Sequence, residues 1–528
     1  KARIVACGNF APHESMPKYS PTPSLVTIRL TLAILLDFAD SFVIHHCDIP
    51  SAFLKAEGGK DTEDEFVRPP NILTKIGLVK DDTVWRTGGN LYGLRRAPRL
   101  WYCTVKIFLG NLGWFPSFTE PCLYTRKGLR RSVLLVHVDD FMVISNENEC
   151  DEAQQVLIDL TTRFGGDVHV CRSSQSFTFL GMNIAIHKDR IAIDGIPKVK
   201  EFIKTVEASR ISKTPPDETL FSNGPDKLNA SDIKIYQRAI GQLVFISGLF
   251  RPDLTFVVAE AAKSMCAPTQ RGMTGLKCIG QYLLHTQTCT LNWLKQANPQ
   301  EVLLEVFTDA SFGKSARPIL GGFILVNKKM VHFWRSDGRS VSLSTLESEF
   351  SSAVQGLRLG TGIEKTLNKV LPDIRVKKSL MCDLKSACKL LRGEISSSAL
   401  RHADNDRCYV LEKINRDGWE INWIKSSENM IADSFTKPIK NKSKLSKIRF
   451  TMGIFCPLKD EFGLDYMMNE APESDKFLGH VETSQPIDPV SEAVFMNEHQ
   501  RDQEQDSQSF KAEMSHSKDL DASLYECL

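Results

Sequence analysis

Apolar residues run almost unbroken from Thr27 to Phe42, with only scattered polar positions, which predicts a core-facing helix. Residues Ser132 to Ser145 read as two short apolar runs flanking a pair of acids, the pattern of a strand–turn–strand hairpin. A polar stretch with Pro and Gly from Ser212 to Ser231 is the clearest internal linker. After it, Tyr236, Ile240, Leu243 and Val244, then Leu276, Ile279 and Leu283, recur at helical spacing. Pro252 stands where a new helix would begin, with Asp253 in its first turn. From Glu301 the pattern changes to alternating strands, then a long helix near Leu346 to Leu371, then a strand ending at Asp383. That order is an α/β signature. Beyond Lys440 the periodicity fades into a lysine-rich run and a polar tail. From Tyr466 the tail holds fourteen Asp and Glu against four Lys and Arg, so disorder is expected there.

Composition narrows this picture only a little. A chain of 528 residues exceeds one compact core and favours about three domains. Hydrophobic residues at 42% and charged residues at 25% are ordinary for a soluble globular protein. The formal net charge of +2 neither supports nor excludes nucleic acid, because a local groove can be basic on a neutral chain. Fourteen scattered cysteines without a C-x-x-C pair argue against zinc ribbons and thioredoxin chemistry, and fit free thiols in a reducing compartment. The most apolar long window, Leu25 to Ile44, contains Arg29, Asp37 and Asp40 and does not read as a membrane span. The chain opens at Lys1 without an initiator methionine, so it is expected to be a piece of a longer reading frame.

Candidate chemistry lies in two sets of acids. In SVLLVHVDDFMVIS, Asp139 and Asp140 sit between apolar strands, and two adjacent carboxylates repel unless a cation compensates. Mg²⁺ suits such a pair because it binds through one or two carboxylates plus substrate phosphates. An ordinary Asp-containing turn reads the same way. Asp48 follows another apolar strand in VIHHCDIPSAFLKA, with Phe53 five residues on. In LYGLRRAPRLWY, Gly93, Arg95, Arg96, Pro98 and Arg99 stand among aromatics that could stack on bases while the arginines meet phosphates. A helix start with a solvated basic face fits that segment too. Further on, Asp309 ends a strand, Glu347 and Glu349 open a helix after SLST, Asp383 ends another strand and Asp433 lies in NMIADSFTK. Taken singly, each is equally an ordinary cap or surface acid.

Taken in order, these segments resemble the Pol polyproteins of copia-type LTR retrotransposons. CDIPSAFLKA is similar to that family's D-V-x-x-A-F-L block, LYGLRRAPRLWY to its L-Y-G-L-K-Q-x-P-R-x-W block, and HVDDFMVIS to its V-D-D block. KARIVACGNF, YSPTPSLVTIRL and FTFLGMNI resemble three further blocks of the same reverse transcriptases. TDASFG, SLSTLESEF, MCDLKSA and IADSFTK resemble the family's ribonuclease H blocks, and the R-P-D motif its connection segment. Two departures stand out: His137 replaces the usual Tyr before V-D-D, and Cys7 a residue that is commonly Arg.

The resemblance implies a multidomain α/β and α+β chain. Reverse transcriptase fingers and palm would span residues 1–205, a linker and helical connection 206–300, and a ribonuclease H-like α/β domain 301–440. Residues 441–528 would be a basic stretch and a disordered acidic tail. It implies an RNA-directed DNA polymerase that also cleaves RNA in RNA–DNA hybrids, with an inactive or partly active retroelement remnant that binds nucleic acid without polymerising as the alternative. Asp48, Asp139 and Asp140 would hold two Mg²⁺ ions (or Mn²⁺) in one site, and Asp309, Glu349, Asp383 and Asp433 two in the other. Glu349 is preferred to Glu347 because it precedes the helix face bearing Ala353 and Leu357. Phe53 would exclude the ribose 2′-hydroxyl, Arg3 would reach the triphosphate, and Gly93, Arg95, Arg96, Pro98 and Arg99 would line the template and nucleotide site. Gly181 falls in an implied primer grip over Phe179 to Ile184, and His402 would assist proton transfer or product release. The implied partners are an RNA template, a DNA primer, the RNA–DNA hybrid and dNTPs, with no membrane. A second copy or other parts of the polyprotein would be protein partners, and the setting a cytoplasmic retroelement particle or the nucleus.

Overall fold

The apolar run expected to form a buried helix does so over Leu25–Phe38, and twelve of its fourteen residues are buried. The structure is a computed structural model that describes residues 4–10, 19–38, 42–57, 66–87, 89–171, 175–296, 299–312, 317–395 and 403–456. Arg3, His402 and the acidic tail lie outside the described residues, which all belong to one unit, Lys1–Phe477. No helix among them is long and apolar enough to cross a membrane.

Three main sheets organise the chain. The first is antiparallel and six-stranded, in the order Trp114–Pro116, Leu123–Arg126, Ser132–His137, Asp140–Asn146, Phe42–Asp48, Val168–Cys171. Its two central strands are the two arms of the hairpin around the acid pair, and the strand that ends at Asp48 lies beside the second arm. The helices Ala97–Asn111 and Cys150–Phe164 pack against one face through Trp101, Val105, Leu157 and Leu160. A second five-stranded sheet joins distant pieces: Ser176–Phe179, Met182–Ile186, Arg190–Asp194, Thr290–Leu294 and Ile454–Phe455. The third takes the order Lys329–Asp337, Ile319–Val326, Val302–Ser311, Val376–Cys382, Glu420–Trp423. Its first three strands are antiparallel and its last two join in parallel, with the long helix Thr345–Val370 packed on Val302–Ser311. This is the mixed α/β and α+β architecture expected from the sequence.

Two expectations about order change. The linker at Ser212–Ser231 is not loose: Phe221 and Leu228 are buried, and Asp217 pairs with Lys440 at 2.5 Å. The chain also keeps regular structure past Lys440, forming a helix over Lys442–Thr451 and the strand Ile454–Phe455. Leu445 and Ile448, three residues apart, give that helix its buried side. The expected helix start at Pro252 is a 3₁₀ turn, Pro252–Leu254, before the helix Thr255–Lys263. Val244, read as a core position, is 54% exposed, while its neighbour Leu243 is fully buried.

Helix Leu25–Phe38 touches both the first and third sheets, and its two charged residues find partners across that junction. Arg29 donates to the carbonyls of Gly248 and Leu249, the latter at 2.9 Å, and its guanidinium lies 5.0 Å from the Phe333 ring centre. Asp37 accepts two bonds from the Lys329 ammonium at 2.5 and 2.6 Å, one from the Asn327 amide at 2.9 Å and one from the Gln296 backbone N–H at 2.8 Å. Asn327 and Lys328, at φ 48° and 62°, form the tight turn that presents Lys329. Asp37, Asn327 and Lys329 are each at most 3% exposed. Removing one member of such a pair strands a buried charge, whereas replacing both need not. Lys329→Met is therefore expected to cost about 3–5 kcal/mol in denaturant unfolding, and Asp37→Leu with Lys329→Met to recover most of it. A single-variant loss below about 1 kcal/mol would show that the pair does not hold the junction.

Candidate active sites

Register brings the first acid set together. Asp48 ends its strand directly opposite Asp140, and the Ile49 N–H donates to the Asp139 carbonyl at 2.8 Å. His137 pairs with Asp140 across a two-residue turn of Val138 and Asp139. Val138 is forced to φ 58°, unusual for a β-branched residue, so the surroundings must hold the turn. Trp101 supplies part of that hold, donating its indole N–H to the Val138 carbonyl at 2.6 Å. Burial raises the Asp139 pKa, a backbone hydrogen bond opposes it, and the charges of Asp48 and Asp140 push the same way as burial. His46 lies 3.3 Å from an Asp140 oxygen, with Phe179 edge-on to its ring at 6.1 Å.

The other candidate residues of the first half sit in separate local settings. Phe53 packs on Tyr92 with ring centres 5.6 Å apart. Gly93, at φ 88°, lies against the amino-terminal segment: the Ala6 N–H donates to the Tyr92 carbonyl at 2.7 Å, and a Cβ on Gly93 would stand 2.0 Å from the Ala6 carbonyl oxygen. Arg95 donates to the Asn9 carbonyl at 2.8 Å and Arg99 to the Tyr19 carbonyl at 3.3 Å. Arg96 stands at the N-cap of helix Ala97–Asn111, and Pro98 lies in its first turn. Gly181 belongs to the second sheet rather than the first. With Leu180 it forms a hairpin turn at φ 75° and 50°, next to the Phe179 that meets His46.

The second acid set is more deeply buried. Asp309, 1% exposed, sits near the end of the central strand of the third sheet, and Glu349, 5% exposed, projects from the first turns of the long helix. Glu349 accepts from the Ala310 N–H at 3.4 Å through one oxygen, while its other oxygen is buried without a partner. Glu347 is used differently, accepting from the Leu343 N–H at 2.7 Å to close the helix start. Asp383 follows strand Val376–Cys382 and Asp433 lies in helix Met430–Thr436. Among the described residues, Glu349, Cys382 and Asp383 are the one group of three whose ligand atoms all lie within 4.8 Å of one another.

Lysines meet the remaining acids. Lys437 bridges Asp309 at 3.3 Å and Asp433 at 2.9 Å, and Lys444 reaches the second Asp433 oxygen at 3.1 Å. The Thr436 hydroxyl donates to Asp309. Burial still pushes the Asp309 carboxyl up to about 6, against the pull of Lys437. Burial, then the charges of Asp309 and Asp383, push Glu349 up to about 9. A buried carboxyl with an orphaned oxygen facing further donors fits a cation. Sequence reasoning missed Cys382, Lys437, Lys444 and Trp423. The strand-end position of MCD was a signal for Cys382, because it precedes the acid by one residue. Trp423, 37% exposed, donates to the Asp383 carbonyl at 3.0 Å and carries the Lys385 ammonium 4.3 Å from its ring centre; nothing in the local sequence marked it.

Residues 1–213 match the family model of reverse transcriptase (RNA-dependent DNA polymerase). The retrovirus-related Pol polyproteins from transposons RE2 and RE1 of Arabidopsis thaliana are each 24% identical over 453 residues, covering 83% of this chain and 30% and 29% of theirs. That from transposon TNT 1-94 of Nicotiana tabacum is 24% identical over 454 residues, 81% of this chain and 32% of its own. The chain thus spans roughly 30% of the length of these curated relatives. Among solved structures, a foamy viral protease-reverse transcriptase in complex with an RNA/DNA hybrid aligns with a TM-score of 0.42 at 13% identity, over 77% of this chain and 46% of that one. The LC11 ribonuclease H1 isolated from compost aligns with a TM-score of 0.21 at 12% identity, over 28% of this chain and 98% of that one. The family match over residues 1–213 and the likeness to these polyproteins over about four-fifths of the chain support the expected resemblance to the reverse transcriptase region of copia-type retrotransposon Pol polyproteins.

Proposed function

We propose that this chain is an RNA-directed DNA polymerase with ribonuclease H activity, copying retroelement RNA into cDNA and removing the RNA from the resulting hybrid. One observation supports the reading: a single chain holds two separate sets of acids, the first around the facing ends of paired strands and the second on two strand ends and two helices. In this reading residues 1–205 are fingers and palm, 206–300 linker and connection, and 301–440 the nuclease domain. Its partners are RNA template, DNA primer and dNTPs, within a cytoplasmic retroelement particle.

Asp48, Asp139 and Asp140 hold the cations of the polymerase site, and Asp309, Glu349, Asp383 and Asp433 those of the nuclease site. Mg²⁺ or Mn²⁺, two ions in each site, would supply Lewis-acid polarisation of the phosphoryl oxygens and stabilise the attacking and leaving oxygens. The chain supplies position and charge. The strained Val138 turn, fixed by Trp101, keeps Asp139 and Asp140 facing Asp48. Phe53, braced by Tyr92, crowds the sugar of an incoming nucleotide. Arg3, Gly93, Arg95, Arg96, Pro98 and Arg99 line the nucleotide and template path, with Gly181 on the primer side. On the nuclease side, Lys437 holds Asp309 and Asp433 together and balances part of their charge. His402 moves the proton or releases product.

The test is a labelled RNA–DNA hybrid with a recessed DNA primer, incubated with the full chain and Mg²⁺. Asp139→Asn with Asp140→Asn should lower primer extension about a hundred-fold or more while sparing RNA cleavage, and Asp383→Asn should do the reverse. A folded chain with neither activity would leave only the nucleic-acid-binding remnant. Phe53→Ala should raise ribonucleotide incorporation roughly ten-fold; an unchanged ratio of ribo- to deoxyribonucleotide use would remove Phe53 from the sugar site.

The raised carboxyls predict a pH signature. Without a cation the folded chain keeps the Glu349 proton up to about pH 9, whereas the unfolded chain loses it near its ordinary value of 4.5. Between these the folded state binds more protons, so stability falls as pH rises through that window. In chelator, the melting temperature should drop between about pH 5 and pH 9 more steeply in the wild type than in Glu349→Gln. Added Mg²⁺ should flatten the slope and release a proton. Parallel curves for the two proteins in chelator would contradict the buried-acid account.

A further inference from the structure

Next to the nuclease acids lies a thiol that the proposed reaction does not use. Cys382, the last residue of strand Val376–Cys382, is fully buried, and its sulfur lies within 4.8 Å of ligand oxygens of Glu349 and Asp383. One oxygen of Glu349, a residue 95% buried by its 5% exposure, has no hydrogen-bond partner. Asp383 is only partly buried and keeps the group open to solvent. We propose that Glu349, Cys382 and Asp383 form a subsite for a thiophilic divalent cation of the zinc class, which excludes Mg²⁺ from the nuclease site and stops cleavage. The inference rests on the nuclease reading of these acids and deepens it by naming a regulator of the site.

Ligand chemistry separates the two ions. Mg²⁺ takes oxygen ligands in near-ideal octahedral geometry, so it can use Glu349 and Asp383 but has no use for a sulfur. Zn²⁺ binds carboxylate and thiolate alike in tetrahedral sites, and three protein ligands with one open position is a recurrent arrangement for it. Bond lengths near 2.1 and 2.3 Å place neighbouring ligand atoms roughly 3.6 Å apart, so the group closes by about 1 Å at most. Side-chain torsions of Glu349 and Asp383 can supply that. On binding, the Cys382 S–H bond breaks, its proton leaves to solvent and a metal–sulfur bond forms, with no change in oxidation state. The Cys388 sulfur, 3.7 Å from the Cys382 carbonyl, is the competing thiol that a test must separate.

The metal-free full chain is titrated with Co²⁺, whose thiolate complexes absorb by charge transfer, and RNA cleavage in Mg²⁺ is titrated with Zn²⁺. The wild type and Cys388→Ala should give the thiolate band, and Cys382→Ser should lose it. Relative to each protein's own zinc-free rate, Cys382→Ser should need about ten-fold more Zn²⁺ for half-inhibition. Cys382→Ala serves as a second variant should the serine protein fail to fold. A band that survives loss of Cys382, or zinc inhibition equal in variant and wild type, would overturn the subsite while leaving the nuclease reading intact. A Cys382-dependent band in a chain that cleaves nothing would uphold the subsite and remove the nuclease.

Discussion

Asp37 is a carboxylate with no route to water, held by an ammonium, an amide and a backbone N–H that come from two turns remote in sequence. Its helix is buried on nearly every side, so it must be covered on one flank by the six-stranded sheet and on the other by the third sheet. Neither flank can separate without exposing a long apolar helix and the charges of Arg29 and Asp37. Solvating those charges would recover some energy, but the apolar surface would remain uncovered. The spacing between the two acid sets is therefore a property of the packed core. Under the proposed function a hybrid would meet both sites at a separation that the chain does not readily change.

Carboxylate repulsion is handled differently on the two flanks. In the first set Asp48 is exposed at a strand end and Asp140 is partly open, so water screens part of the repulsion and Asp139 carries most of the burial. In the second set Asp309 and Glu349 are almost wholly buried, and screening cannot help. Lys437 and Thr436 answer Asp309 directly, whereas the nearest polar help for Glu349 is a single long bond from Ala310. That asymmetry is why Glu349 holds its proton hardest.

Legibility followed the range of the interactions. The hairpin around Asp139, the strand before Asp48 and the helix bearing Glu349 are written in local alternation or helical spacing, and each formed close to where the pattern put it. The order of acids carried the family likeness. Features set by distant partners were not legible. Arg29 and Asp37 served only to argue against a membrane span, because their partners Gly248, Leu249 and Lys329 lie some 220 to 290 residues away. The R-P-D motif hid a buried pair in which Arg251 holds both Asp253 oxygens at 2.9 and 2.7 Å, with Tyr282 donating at 2.6 Å. Ile454–Phe455 is too short to show a period, and becomes a strand only because Thr290–Leu294 offers an edge.

The lysine-rich run after Phe435 shows how composition misleads about charge. Read alone, KPIKNKSKLSKIR is a basic segment that could grip nucleic acid or stay solvated. In the fold Lys437 and Lys444 are committed to Asp309 and Asp433, and Lys440 to Asp217, so three of its cations already face carboxylates. A cation that balances an acid contributes little field to a phosphate a few ångströms further out. The run therefore acts inward, setting the charge of the second acid set, and the helix Lys442–Thr451 exists partly to bring Lys444 there. The Arg95 and Arg99 segment differs, because there both side chains donate to backbone carbonyls, of Asn9 and Tyr19.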